Sequence, residues 1–207
     1  MGRLRYAANR DQPRTDPMIF PLIRRSTRQT TISSLYGTIV AQARLPCFYR
    51  EYEVPDTVNG RFELVVMHLA LVLNRLEDGA AGRELGQALF DHFCSDMDHN
   101  LREMGIGDLS VPKQMRRVGE AFYGRARAYQ DGLRDPAGPL LAPAIRRNIY
   151  ETGDADRPPA DRLAAYMREA ARILATQALA DLLAGRVILP NPADAVFVEG
   201  QASPAEG

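Results

Sequence analysis

Three stretches of the chain carry apolar side chains at helical spacing. Between Gly60 and Leu76, Phe62, Val65, Val66, Leu69, Leu73 and Leu76 share one face at about 100° per residue, and Leu64, Met67 and Leu71 cover the opposite side. A helix apolar nearly all round is a buried central helix. From Gly82 to Met104 the stripe is Leu85, Leu89, Phe93, Met97, Leu101 and Met104, with Phe90 at its edge and Gly105 placed as a left-handed cap. From Val111 to Leu133 it is Val111, Met115, Val118, Phe122, Ala126, Tyr129 and Leu133. Pro112 fits a first helical turn, and DPAGP breaks the pattern at its far end.

Weaker signals complete the set. ISSLYGTIVAQA predicts a helix capped by Ser33 or Ser34, carrying Leu35, Ile39 and Val40 and ending near Pro46. Leu141, Ile145 and Ile149 mark a shorter helix ending at Gly153, and the alanine-rich stretch from Asp161 to Ala184 predicts one more, stopped by Gly185. Strand-like alternation is confined to VILP and AVFVE. The expected fold is all-α, a single compact domain of about six helices with disordered N- and C-terminal tails. Its expected divisions are a disordered or weakly ordered basic arm at 1–31, the helical domain at 32–185 and an extended tail at 186–207.

Composition narrows the partners. Lys+Arg and Asp+Glu both number 26, so no net charge favours nucleic acid by direct readout or an acidic partner. Cys47 and Cys94 stand far apart and read as reduced thiols. The longest apolar run, LVVMHLALVL, is too short to span a bilayer and contains His68. MIFPLI lacks the length of a secretory h-region. The expectation is a soluble cytoplasmic protein, with Arg24, Arg25 and Arg28 after MIFPLI giving at most a peripheral foothold on anionic lipid.

The stretch FDHFCSDMDHNLREMGIGD concentrates the candidate chemistry. His92, Asp96, His99 and Glu103 form one row along a shoulder of the apolar stripe; Asp91, Asp98 and Arg102 form a second row further out. At ~1.5 Å rise, His92 and Glu103 lie roughly 16 Å apart, too far for one ion with bonds of about 2.0–2.2 Å. No H-E-x-x-H motif is present, and His68 reads as a hydrogen-bonded core residue. Cys94 points away from both neighbouring histidines, which defeats a nucleophile–base pair. No phosphate-binding or nucleophile-elbow motif occurs, so neither a cofactor nor a metal is expected. Arg125, at the edge of the Val111–Leu133 stripe, either takes an acceptor from the Asp96/Asp98 region or extends its guanidinium to water.

With GRFELVVMHLALVLNRL, FDHFCSDMDHNLREMGIGDLSV and EAFYGRARAY in view, the chain resembles the ubiquinol–cytochrome c chaperone family over roughly Leu35 to Leu133. The specific part is the D-M-D-x-x-L-R-E-M-G-x-G-D run from Asp96 to Asp108, followed by F-Y-G-R at Phe122 to Arg125. The resemblance implies no enzyme. It implies an assembly chaperone for the respiratory ubiquinol–cytochrome c reductase whose client is newly made cytochrome b or another respiratory membrane protein. Eukaryotic members work with a small partner protein and at the ribosome. Carried over by position, the client- or partner-binding residues are Asp96, Asp98, Arg102, Glu103, Gly105, Gly107, Asp108, Tyr123 and Arg125. His92 and His99 have no counterpart in the family pattern, which counts further against a metal. The implied place is the cytoplasm, at the inner membrane's surface. The residues alone would serve equally a helical scaffold or adaptor for another membrane complex, and less well an all-helical His/Asp metal-dependent enzyme.

Overall fold

The structure is a computed structural model that describes residues 19–135, 138–150 and 158–194. Among the described residues the chain forms eight α-helices and no strand: α1 Ile19–Ala43, α2 Pro46–Arg50, α3 Val58–Leu76, α4 Gly79–Glu103, α5 Val111–Arg134, α6 Leu141–Ile145, α7 Pro158–Thr176 and α8 Leu179–Leu183. A π-helical turn, Arg146–Tyr150, continues α6 and buries both Ile149 and Tyr150.

The apolar pattern of α3 makes it the hub. Thr57 caps it by accepting from the Gly60 amide at 3.1 Å. Leu64, Val66, Met67, Leu69, Leu71 and Val72 are all buried, and the helix packs against α1, α4, α5 and α7. Helices on every side explain why its sequence shows two apolar faces.

His68 and Glu63 are the polar side chains fully buried on this hub. His68 Nδ1 lies 2.7 Å from the Leu64 carbonyl, so it carries the hydrogen, and Nε2 accepts from the Tyr166 hydroxyl at 2.9 Å. Gln42 Nε2 donates onward to Tyr166 Oη at 3.0 Å and to the Pro190 carbonyl at 2.7 Å. One chain of hydrogen bonds thus joins α3, α7, α1 and the segment after α8.

Several expected boundaries are corrected. The first helix begins at Ile19, so Ser33 and Ser34 lie within it and cap nothing. Pro21 falls in its first turn, where a missing N–H is tolerated. Ser34 instead donates to the Gly185 carbonyl at 3.0 Å. The short α2 was not expected; Pro46 starts it and Phe48 is buried. The helix expected from Asp161 to Ala184 is two helices, α7 and α8. At the break Arg75 donates to the Leu174 carbonyl at 2.9 Å and the Gln177 carbonyl at 2.8 Å, satisfying acceptors at the end of α7. The segment 186–194 forms neither helix nor strand and is bound to the body. Tyr52 Oη donates to the Pro192 carbonyl at 2.8 Å, and Gln177 both accepts from and donates to the Ile188 backbone. The arm at 1–17, the expected end at Gly153 and the tail after 194 lie outside the described residues.

Candidate functional site

The nine residues carried over from the resemblance do not form one cluster; the helices divide them among three places. The first is the tip where α4 ends and α5 begins. Met104 and Leu109 are 61% and 99% exposed there, although Val111 two residues on is buried. The α4 stripe is buried to Phe93 and only half-buried at Met97 and Leu101, so the helix projects past its neighbours. Gly105 turns the chain with φ +80°, and the Gly105 and Ile106 amides reach the Arg102 and Leu101 carbonyls at 2.9 and 3.1 Å. Gly107 is neither left-handed nor crowded; its carbonyl accepts from the Ser110 amide at 2.8 Å.

Charges brace this tip. Arg102 Nε donates to Asp98 at 2.7 Å, and its second arm pairs with Asp108 across the turn. Glu103 sits 3.1 Å from His99, both well exposed. Asp98, Arg102, Glu103 and Asp108 therefore present a mixed, water-facing surface around two exposed apolar side chains.

The second place is internal. Asp96 faces α1 and accepts from the Tyr36 hydroxyl at 2.7 Å. Burial, then the Asp96 carboxylate, raises the Tyr36 pKa well above its usual range, so the hydroxyl stays a donor. His92 meets the Tyr36 ring edge-on at 5.0 Å between centroids. The row His92–Asp96–His99–Glu103 is thus divided between α1 and solvent, and among the described residues no three His, Cys, Asp or Glu side chains gather as metal ligands.

Arg125 is also internal, and here the expected partner is corrected. Its guanidinium holds Glu63 of α3 by two bonds of 2.6 Å, and donates to the Ala121 carbonyl at 3.2 Å. The Glu63 side chain is 0% exposed and that of Arg125 is 23% exposed. Asp96 and Asp98 sit on α4 and are engaged by Tyr36 and Arg102 instead. The signal for Glu63 was present: a lone carboxylate inside FELVVMHLALVL needs a cation to be buried.

The third place is an open trough of ≈ 690 Å³ between α4 and α5 with α3 beneath it. Tyr123 lines it and is 61% exposed. Phe90 and Ala126 belong to the apolar stripes, and Arg83, Arg127 and Gln130 also line the trough; the sequence does not show them as one site, because each helix contributes a few positions that no single stripe joins. Among the described residues no helix is long and apolar enough to cross a membrane.

Known proteins share this architecture. The crystal structure of the Cbp3 homolog from Brucella abortus is similar with a TM-score of 0.76 and 36% identity, covering 86% of this chain and 99% of that one. The ubiquinol-cytochrome-c reductase complex assembly factor 1 of Xenopus laevis is 27% identical over 150 residues, 72% of this chain and 74% of the frog protein. The factors of that name from Drosophila melanogaster and Homo sapiens are 26% and 25% identical over 70% and 72% of this chain, which spans 58% and 50% of their lengths. A profile of the ubiquinol-cytochrome C chaperone family matches residues 50–189, most of the described body, and the protein belongs to that family.

Proposed function

We propose that this chain is a non-enzymatic assembly chaperone of the ubiquinol–cytochrome c reductase, acting at the cytoplasmic face of the inner membrane and holding newly made cytochrome b. The family match over 140 residues, 50–189, carries this reading. The relatives named as assembly factors of that complex support it, and cytochrome b is the client expected from the resemblance of the sequence. The surface is physically suited to the task. A chaperone needs contacts that form specifically and release readily, and a braced charged tip around Met104 and Leu109 offers modest apolar area within a polar rim. Asp98, Arg102, Glu103 and Asp108, with the turn at Gly105 and Gly107, are the proposed contact residues. Tyr123 extends the contact to the trough, while Asp96 and Arg125 support it from inside.

The test is a chromosomal deletion read by the reduced-minus-oxidised haem spectrum of membranes. Selective loss of cytochrome b absorbance with its transcript intact is the expected result. Normal cytochrome b, with capture of unrelated membrane subunits by the chain, would assign it to a scaffold. Complementation by Asp98→Lys with Arg102→Glu should fail while the helical circular dichroism is kept, because both side chains are on the surface.

A further inference from the structure

The α4 and α5 helices diverge from an aromatic apex. The Phe90 ring lies 4.9 Å from Phe122 and 5.3 Å from Tyr123, centre to centre. Beyond that contact Ala70 and Leu73 of α3 floor the trough, and its α5 wall runs from Tyr123 to Arg134. Eleven steps of the helix rise make that wall roughly 16 Å long, about three helical turns. The walls and floor are all helices, whose backbone groups are already paired within themselves. An extended peptide laid in the trough would find no backbone partner. A helix satisfies its own backbone and needs only side-chain contact.

The rim states which helix would fit. Asp131 is shared between Arg127 at 3.9 Å and Arg134 at 3.3 Å. Glu77 takes the Gln130 amide at 3.2 Å. On the opposite wall Arg83 donates to the Glu77 backbone carbonyl at 3.1 Å, a contact that neutralises no charge. The rim thus carries three arginines, Arg83, Arg127 and Arg134, against two carboxylates, Glu77 and Asp131, and keeps an excess of positive charge, with Arg127 83% exposed and Arg83 on the facing wall.

We infer that the trough seats a helical segment of the client, about three turns long, with its apolar face on Phe90, Tyr123 and Ala126 and carboxylates flanking that face against Arg83 and Arg127. The inference rests on the reading of the chain as a chaperone and specifies what it grips. Charge-assisted pairs at the exposed rim set orientation, and the apolar floor supplies most of the attraction.

Three fluorescein-labelled helical peptides of about sixteen residues test it. They share one Leu/Ala face and differ in flanking that face with Glu, Lys or Gln. Titrated against the full chain, the Glu peptide should bind with a Kd at least roughly tenfold below that of the Lys peptide. The double variant Arg83→Glu with Arg127→Glu alters exposed side chains alone and should reverse that order. Ala126→Trp, which fills the trough, should abolish binding of all three. Equal binding of the three peptides, preference of the native chain for the Lys peptide, or an unchanged order in the double variant would overturn the inference. So would a native dimer in sedimentation that Ala126→Trp dissociates, since a second copy would then own the trough. Failure of the peptides alongside lost cytochrome b in the deletion removes the trough and keeps the chaperone. Charge-selective binding alongside normal cytochrome b keeps the trough and removes that client.

Discussion

The Glu63–Arg125 pair shows how much a single buried charge decides. Glu63 is fully enclosed, and a guanidinium from α5 reaches its carboxylate with both arms. Arg125→Ala takes that guanidinium from a fully buried carboxylate and should lower the unfolding free energy by about 3–5 kcal/mol in urea denaturation. Arg125→Lys should recover only part of the loss, because an ammonium cannot make the two-armed contact. Replacing both residues by Gln should be milder than Arg125→Ala, since no unpaired charge remains. An Arg125→Ala variant within about 0.5 kcal/mol of the native protein would show that the pair contributes nothing. That Arg125 needed an acceptor was legible from its place on an apolar stripe. That the acceptor was Glu63 was not, because the pairing depends on how α5 lies across α3, a distance of 62 residues in sequence.

At the scale of elements, periodicity succeeded where one face of a helix does most of the packing. The α3 and α5 stripes, the α4 stripe as far as Phe93, and the turns at Gly105 and Gly185 match the sequence pattern, while Met104 at the end of the α4 stripe is exposed. It failed where a tertiary contact overrode a local rule. Ser33 and Ser34 offered a plausible cap inside a longer α1, and a continuous helical sequence breaks into α7 and α8 where Arg75 of α3 binds the end of α7. The tip and the trough divide along the same line. The tip is a contiguous motif and was visible; the trough belongs to three helices and was not. One close approach between elements makes a sharp prediction. Gly132 of α5 crosses α6 so tightly that an added Cβ would come within 2.8 Å of Leu141 Cα and 2.9 Å of its Cβ. Backbone cannot yield there as a flexible side chain would. Gly132→Ala should therefore cost about 1–3 kcal/mol and lower Tm, although alanine is the better helix former. A rise in Tm would mean that α6 moves freely on α5.

For the whole molecule, the hydrogen-bond chain through His68 sets a pH limit. Burial pushes the His68 pKa down from 6.5 to about 4. The folded protein therefore keeps the ring neutral while the unfolded chain takes up a proton as pH falls through 6.5. The stability this group contributes is complete above that value and is lost progressively down to about 4, in total about 3 kcal/mol. Urea midpoints should fall steadily between pH 7 and 4.5, and His68→Gln should flatten that fall at the cost of some stability at neutral pH. An equally steep fall in the variant would place the acid sensitivity elsewhere.

The segment after α8 has a consequence in time. Gln42, within the network through His68, donates to the Pro190 carbonyl, and the buried Tyr52 hydroxyl donates to the Pro192 carbonyl. A chain growing from its N-terminus makes Gln42 and Tyr52 long before it makes their partners. Pro192 joins the chain 140 residues after Tyr52, roughly 7–28 s later at about 5–20 residues per second. Until then the core around Phe48, Tyr52 and His68 is open at one side, and contacts of such sequence separation are slow to close. The last described stretch of the chain therefore closes a part of the core that was begun 140 residues earlier.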